Sequence, residues 1–188
     1  MKPLAGITVI ELARVLACPF AGMILAELGA RVIKVEQPHS GDETRGYEPF
    51  VGQEQLAREP LDEDAMAAAL GKERSAYFYA FNRSKESITV NLRSAEGQQV
   101  VRELVSSADV VLENFPVGTL KRYGLDWPSL KAVNERLIYV SCTGFGQTGP
   151  YAKKKGYDTV FQAMSGIMSL TGEKDGGPVK PGIPVSDL

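Results

Sequence analysis

Few side chains in this chain are equipped for catalysis. His39 is the only histidine and sits in the turn-like stretch Gln37-Pro-His-Ser-Gly-Asp42. A Ser-His-Asp arrangement would have to use it, and a solvated loop histidine is the plainer reading. Cys18 and Cys142 are the only cysteines and form no C-x-x-C pair, which speaks against zinc and against a disulfide scaffold. Chemistry then falls to carboxylates, lysines, tyrosines and hydroxyls. Three of these types meet in one stretch, where Lys153-Lys-Lys155 is followed at once by Gly156-Tyr-Asp158. Lysines there could clamp ligand phosphates as mobile point charges, or stand solvated in a loop. Asp158 could serve a site, or be a first-turn acid favoured by a helix dipole.

Gly144-Phe-Gly-Gln-Thr-Gly149 satisfies G-x-G-x-x-G and follows a β-rich run, the context of a dinucleotide fingerprint. The fingerprint reading fails on what comes next. Pro150 and then Tyr-Ala-Lys-Lys-Lys follow the third glycine, which is no helical first turn offering N–H groups to a pyrophosphate. No clear downstream strand carries an acid about 20 positions on. The first βα turn reads Ala13-Arg-Val-Leu-Ala-Cys-Pro19 instead, and no Walker A sequence is present.

Five β-rich runs must position these residues: Ile7 to Leu12, Arg31 to Glu36, Ser87 to Leu92, Asp109 to Asn114 and Leu137 to Cys142. A helix from about Pro19 to Leu28 stops at Gly29, and another runs from a Ser94 cap to about Ser106. Strands separated by such helices predict βαβ units, a mainly parallel sheet and right-handed crossovers. Residues 41–74 break the rhythm and read as a surface excursion, with a short helix over Asp62 to Leu70.

Composition bounds the class. With 188 residues, 44% hydrophobic and 23% charged, the chain predicts one folded domain rather than disorder. The net charge of −2 weighs against a general nucleic-acid binder. No run of about 18 apolar residues exists, and the first apolar run is broken by Glu11 and Arg14. The expectation is no membrane span, no signal peptide and a cytoplasmic protein with reduced thiols.

Several segments together carry a family resemblance. They are Pro3 to Leu12, Ala26 to Glu36, Gly41-Asp-Glu-Thr-Arg45, Phe81 to Ile88, Ala108 to Phe115, Gly144 to Pro150 and Gly156-Tyr-Asp158. In this order they resemble the family III CoA-transferases, a group that includes formyl-CoA and carnitine CoA-transferases and the α-methylacyl-CoA racemases. The resemblance implies a Rossmann-like α/β large domain without a dinucleotide fingerprint. It makes residues 1–188 the N-terminal part of that CoA-binding domain, with the small domain and the C-terminal return segment absent. Complete chains of the family are expected to form interlocked homodimers.

Carried over position by position, the resemblance makes Asp187, in Pro181-Gly-Ile-Pro-Val-Ser-Asp187, the catalytic aspartate. Asp158 matches a second active-site acid. Tyr157 stands where the transferases have tyrosine and the racemases a histidine base. Asn114, Phe115, Arg122 and Lys155 match CoA contacts, as do Val15, Leu16 and Val90 near the nucleotide. Leu16 and Gln37 replace a glutamine and an arginine of formyl-CoA transferases, which speaks against an oxalate or formyl substrate and leaves CoA binding intact. The implied activity moves CoA between a thioester and a free acid through an aspartyl-CoA intermediate. CoA is then a substrate, with no tightly bound cofactor and no metal. The alternatives are a racemase-like epimerase, which needs two bases beside the α-carbon, and an inactive truncated CoA-binding fragment.

Overall fold

The computed structural model describes residues 2–51 and 74–188. In chain order the elements are β1 (Thr8–Leu12), α1 (Ala17–Glu27), β2 (Arg31–Glu36), a 3-10 turn (Glu43–Gly46), β3 (Phe50–Val51) and β4 (Arg74–Ser75). Then come α2 (Ala76–Asn82), β5 (Glu86–Thr89), α3 (Ala95–Ser106), β6 (Val110–Glu113), α4 (Thr119–Arg122), α5 (Trp127–Lys131), β7 (Ile138–Ser141), α6 (Asp158–Met164) and a second 3-10 turn (Ile167–Leu170).

All five strands expected from the sequence join one sheet in the order β5-β2-β1-β6-β7, with every neighbouring pair parallel. β3 and β4 form a separate antiparallel ribbon. The three central strands β1, β2 and β6, covered on both faces, bury nearly every side chain, whereas the edge strands β5 and β7 are largely exposed. Ile10, Leu12, Ile33, Val35 and Val111 pack with Val101 and Val105 of α3 on one face. Val9, Val32 and Leu112 pack with Cys18 and Ala26 of α1 on the other.

Local chemistry sets the element ends. Ser94 Oγ accepts a hydrogen bond from the Gly97 amide at 3.1 Å and caps α3. Ser94→Ala is expected to cost about 1 kcal/mol, read as a lower urea midpoint with an unchanged m-value. Gly29, at φ +107°, closes α1 in a conformation that favours glycine. α1 starts two residues before the expected Pro19, with Phe20 N–H donating to the Leu16 carbonyl. β5 ends at Thr89 rather than Leu92, because the Asn91 carbonyl is already engaged by the Ser94 amide in a turn.

Two further differences concern the segment read as a surface excursion. Asp42 and Thr44, at its start, are buried. Its described ends, Phe50–Val51 and Arg74–Ser75, pair with each other. The helix expected over Asp62 to Leu70 lies outside the described residues. No described helix is long and apolar enough to cross a membrane.

Candidate active site

The chain lays β1, β2 and β5 in one direction and then returns to place β6 and β7 on the other side of β1. The order therefore reverses between β1 and β6, and a crevice outside their carboxyl ends is where open α/β sheets bind ligands. Ala13 to Leu16 leave β1 there, opposite Asn114 beyond β6. The Asn114 side chain ties the two together: its Oδ1 accepts from Arg14 N–H at 3.1 Å and its Nδ2 donates to the Arg14 carbonyl at 2.7 Å. Asn114 thus spends its amide on the first βα turn. Val15 in that turn has φ +70°, a costly conformation for a β-branched residue.

The other expected CoA contacts are placed less uniformly. Leu16 and Val90 are only 3% and 8% exposed and point into the apolar interior, so a ligand would meet their main chain. Phe115 is half-buried and walls a cavity of about 470 Å³ with Trp127, Tyr139 and Gln147. Arg122 is exposed, with a 3.4 Å contact to Thr119 Oγ1. Lys155 is exposed and has no hydrogen bond or ion pair among the described residues. No described contact joins Arg122 or Lys155 to Asn114.

The structure does bring Asp158 and Asp187 together. Asp158 opens α6 and is buried. Its Oδ1 accepts from Ser186 N–H at 3.0 Å and Ser186 Oγ at 2.6 Å, and its Oδ2 accepts from Gln162 Nε2 at 2.6 Å. Burial would raise its pKa, but the bonds from Ser186 and Gln162 outweigh that and hold it low. Asp187, the next residue after Ser186, is half-buried and its carboxylate accepts no hydrogen bond from a described donor. Burial and then the Asp158 charge raise its pKa. Two neighbouring carboxylates therefore have opposite environments, one saturated with donors and one starved of them.

An aromatic row adjoins this pair. Tyr77 meets Tyr47 at 5.5 Å and Phe81 at 5.1 Å between ring centroids. Burial and the Asp187 charge raise the Tyr77 hydroxyl. Tyr157, by contrast, is 68% exposed and its hydroxyl has no described partner. Cys142, half-buried beyond β7, is raised by burial, Asp187 and Glu113, and Cys18 is pushed up more strongly, chiefly by its own burial.

The glycine-rich loop does not open a helix, since the next one, α6, begins only at Asp158. Its Gly144 and the later Gly156 make room for the Phe161 ring instead, where added Cβ atoms would lie 2.4 and 2.1 Å from ring carbons.

Sequence reasoning missed a buried ionic chain beneath the first βα turn. Glu11 lies beside Lys34 in the β1–β2 register. Lys34 Nζ pairs with Glu11 Oε1 and Asp42 Oδ2, each at 2.9 Å, and Lys85 Nζ pairs with Glu11 Oε2 at 2.8 Å. Lys34 also donates to the Ala13 carbonyl at 2.8 Å. Gly22 of α1 permits this, because a Cβ there would sit 2.0 Å from Glu11 Oε2. Burial opposes the Lys34 charge, yet Glu11 and Asp42 overcome it and raise its pKa, whereas burial prevails at Lys85 and lowers it. Glu36 accepts from Asp42 N–H and from Arg45 in two bonds. Against the penalty of burial, the bonds from Arg45, Ser87 and Asp42 bring Glu36 down to about 2.

Together these features define a doubly wound α/β domain that carries a carboxylate pair of opposite environments, Asp158 and Asp187. The chain belongs to CoA-transferase family III, whose pattern matches residues 4–188. A succinate–glutarate CoA-transferase of Agrobacterium fabrum is 53% identical over 187 residues, covering 99% of this chain and 43% of its own length. The human succinyl-CoA:glutarate CoA-transferase is 42% identical, covering 100% of this chain and 39% of its own. The crystal structure of a CaiB/BaiF family protein from Brucella suis superposes with a TM-score of 0.87 at 50% identity, over 100% of this chain and 45% of that one. The chain thus spans less than half the length of these relatives.

Proposed function

We propose that this chain supplies the CoA-binding surface and the nucleophile of a CoA-transferase that moves CoA from an acyl-CoA to a free carboxylic acid through an aspartyl-CoA intermediate. The observation that carries the reading is Asp187, a half-buried carboxylate that accepts no hydrogen bond from a described donor, held next to a hydrogen-bonded Asp158. Poor solvation makes a carboxylate a better nucleophile, and pinning Ser186 to Asp158 fixes where it points.

In this reading Asp187 attacks the thioester carbonyl of the donor. CoA thiolate leaves, and the donor acyl group stays on Asp187 as a mixed anhydride. The thiolate then attacks the Asp187 carbonyl, expels the donor carboxylate and leaves an aspartyl-CoA thioester. The acceptor carboxylate attacks that carbonyl and displaces the thiolate, forming a second anhydride. Attack of the thiolate on the acceptor carbonyl yields the new acyl-CoA and restores Asp187. Asp158, its oxygens occupied by Ser186 and Gln162, acts as the anchor of the Asp187 loop rather than as an acid. That occupancy also weakens the epimerase reading, which would need Asp158 or the exposed Tyr157 as a base.

Succinyl-CoA with glutarate is the first substrate pair to try, from the names of the relatives. Exposed Ile138, Met164, Leu170 and Ile183 favour burial against further polypeptide, in keeping with a homodimer. The unpaired thiols suit a reducing cytoplasm.

The test follows label from free acids into CoA esters with the full-length protein. Label in the ester of glutarate or a related acid is expected. Failure across a broad acid panel, with Asp187→Ala behaving like the parent, would sink the proposal. Asp158→Asn supplies a second check. Removing the Asp158 charge lowers the Asp187 pKa, so the acid limb of the rate profile should move to lower pH; a limb that stays put or rises contradicts the coupling.

A further inference from the structure

The first βα turn is held in a costly shape from several sides. Val15 lies at φ +70°, where the Cβ of a branched residue crowds the backbone. Such outliers persist only when the surroundings over-determine them. Here the surroundings can be named. Lys34 Nζ takes the Ala13 carbonyl at 2.8 Å, Asn114 takes both the N–H and the carbonyl of Arg14, and Asp42 Oδ1 faces the Val15 N–H at 3.4 Å. Asp42 itself is locked. Its Oδ1 accepts from Thr44 N–H at 3.0 Å and Thr44 Oγ1 at 2.8 Å, its Oδ2 pairs with Lys34, and its own N–H donates to Glu36.

We propose that Asp42, backed by the buried Lys85–Glu11–Lys34 chain, is a positioning residue that forces Val15 into its left-handed conformation and so preorganises the turn that receives CoA. The inference rests on the transferase reading for the identity of the ligand. It assigns a functional task to charges that touch no substrate. A preorganised turn spares the ligand the cost of ordering it. An asparagine at 42 cannot do the same, since it has one oxygen where Lys34 and the Val15 N–H need two.

A double-mutant cycle tests this on the full-length protein, using Asp42→Asn, Val15→Gly and both together. Glycine adopts positive φ without the side-chain penalty. CoA affinity by calorimetry should fall about tenfold for Asp42→Asn in the Val15 parent but less than about twofold in the glycine background. The thermal midpoint should respond in the opposite sense. Asp42→Asn costs less with Val15, because the strained turn relaxes, and more with glycine, which has no strain to release. A merely structural Asp42 would give equal effects in both backgrounds, and that result overturns the inference. Should Asp42→Asn fail to fold, Thr44→Val, which removes one hydroxyl from the same carboxylate oxygen, runs through the same cycle. A parent that binds no CoA overturns the transferase reading instead, and the thermal cycle then decides the inference by itself.

Discussion

Asp187→Asn is expected to lower CoA transfer by on the order of 10⁴-fold or more, while CoA still binds. The side chain keeps its size and loses only its nucleophilic charge, so the CoA surface proposed around Val15, Asn114 and Phe115 is untouched. The defect should lie in kcat, since the lost bond exists only on the reaction path. A direct signature accompanies it. The parent, incubated with donor thioester and no acceptor, should gain the mass of CoA less one water on a peptide containing Asp187. The asparagine variant should gain nothing. An adduct on Asp158 instead, or transfer that survives the substitution, would reverse the assignment of roles to the two carboxylates.

The second large effect is one of stability. Lys34→Met removes the central cation of the buried chain, leaving Glu11 with Lys85 alone and Asp42 without an ionic partner. Breaking a buried pair from one side costs about 3–5 kcal/mol, which for a domain of this size lowers the melting temperature by roughly 6–20 °C. Glu11 and Lys34 are fully enclosed, so water cannot repair the loss. A drop no larger than that of a typical surface substitution would mean that the chain of charges is hydrated in solution.

The central strands are legible in the sequence because, buried on both faces, they read as apolar runs, and Gly29 and Ser94 mark helix ends through their conformational and capping demands. Asp187 is legible only through family resemblance, and Asp158, which its residue type alone leaves open between a site acid and a helix first-turn acid, is paired with it only in that way. Nothing in their spacing, nearly thirty positions apart, predicts that Ser186 would bridge them. The ionic chain leaves a trace in the sequence that points the wrong way. In sequence Glu11 reads as an interruption of an apolar run, yet a charge at an inward position of a central strand needs a partner, and Lys34 stands in the neighbouring strand. Asp42 gave no such trace. It lies in a polar stretch whose local composition suggests surface, and only its bond to Glu36 and those it accepts from Thr44 and Lys34 draw it inside. Leu16 and Val90 were assigned to ligand contact by position, but their side chains serve the core.

The environment of the two cysteines has a practical use. Cys18 is buried, and the Cys142 thiol is held protonated by its own burial and by the carboxylates of Asp187 and Glu113. Thiolates, not thiols, react with electrophilic dyes. Both sulfurs of this chain should therefore stay silent toward a maleimide or a disulfide reagent while the fold is intact. In an assay of CoA freed from its thioester, these two sulfurs would add nothing to the background, and labelling at either would report unfolding rather than catalysis.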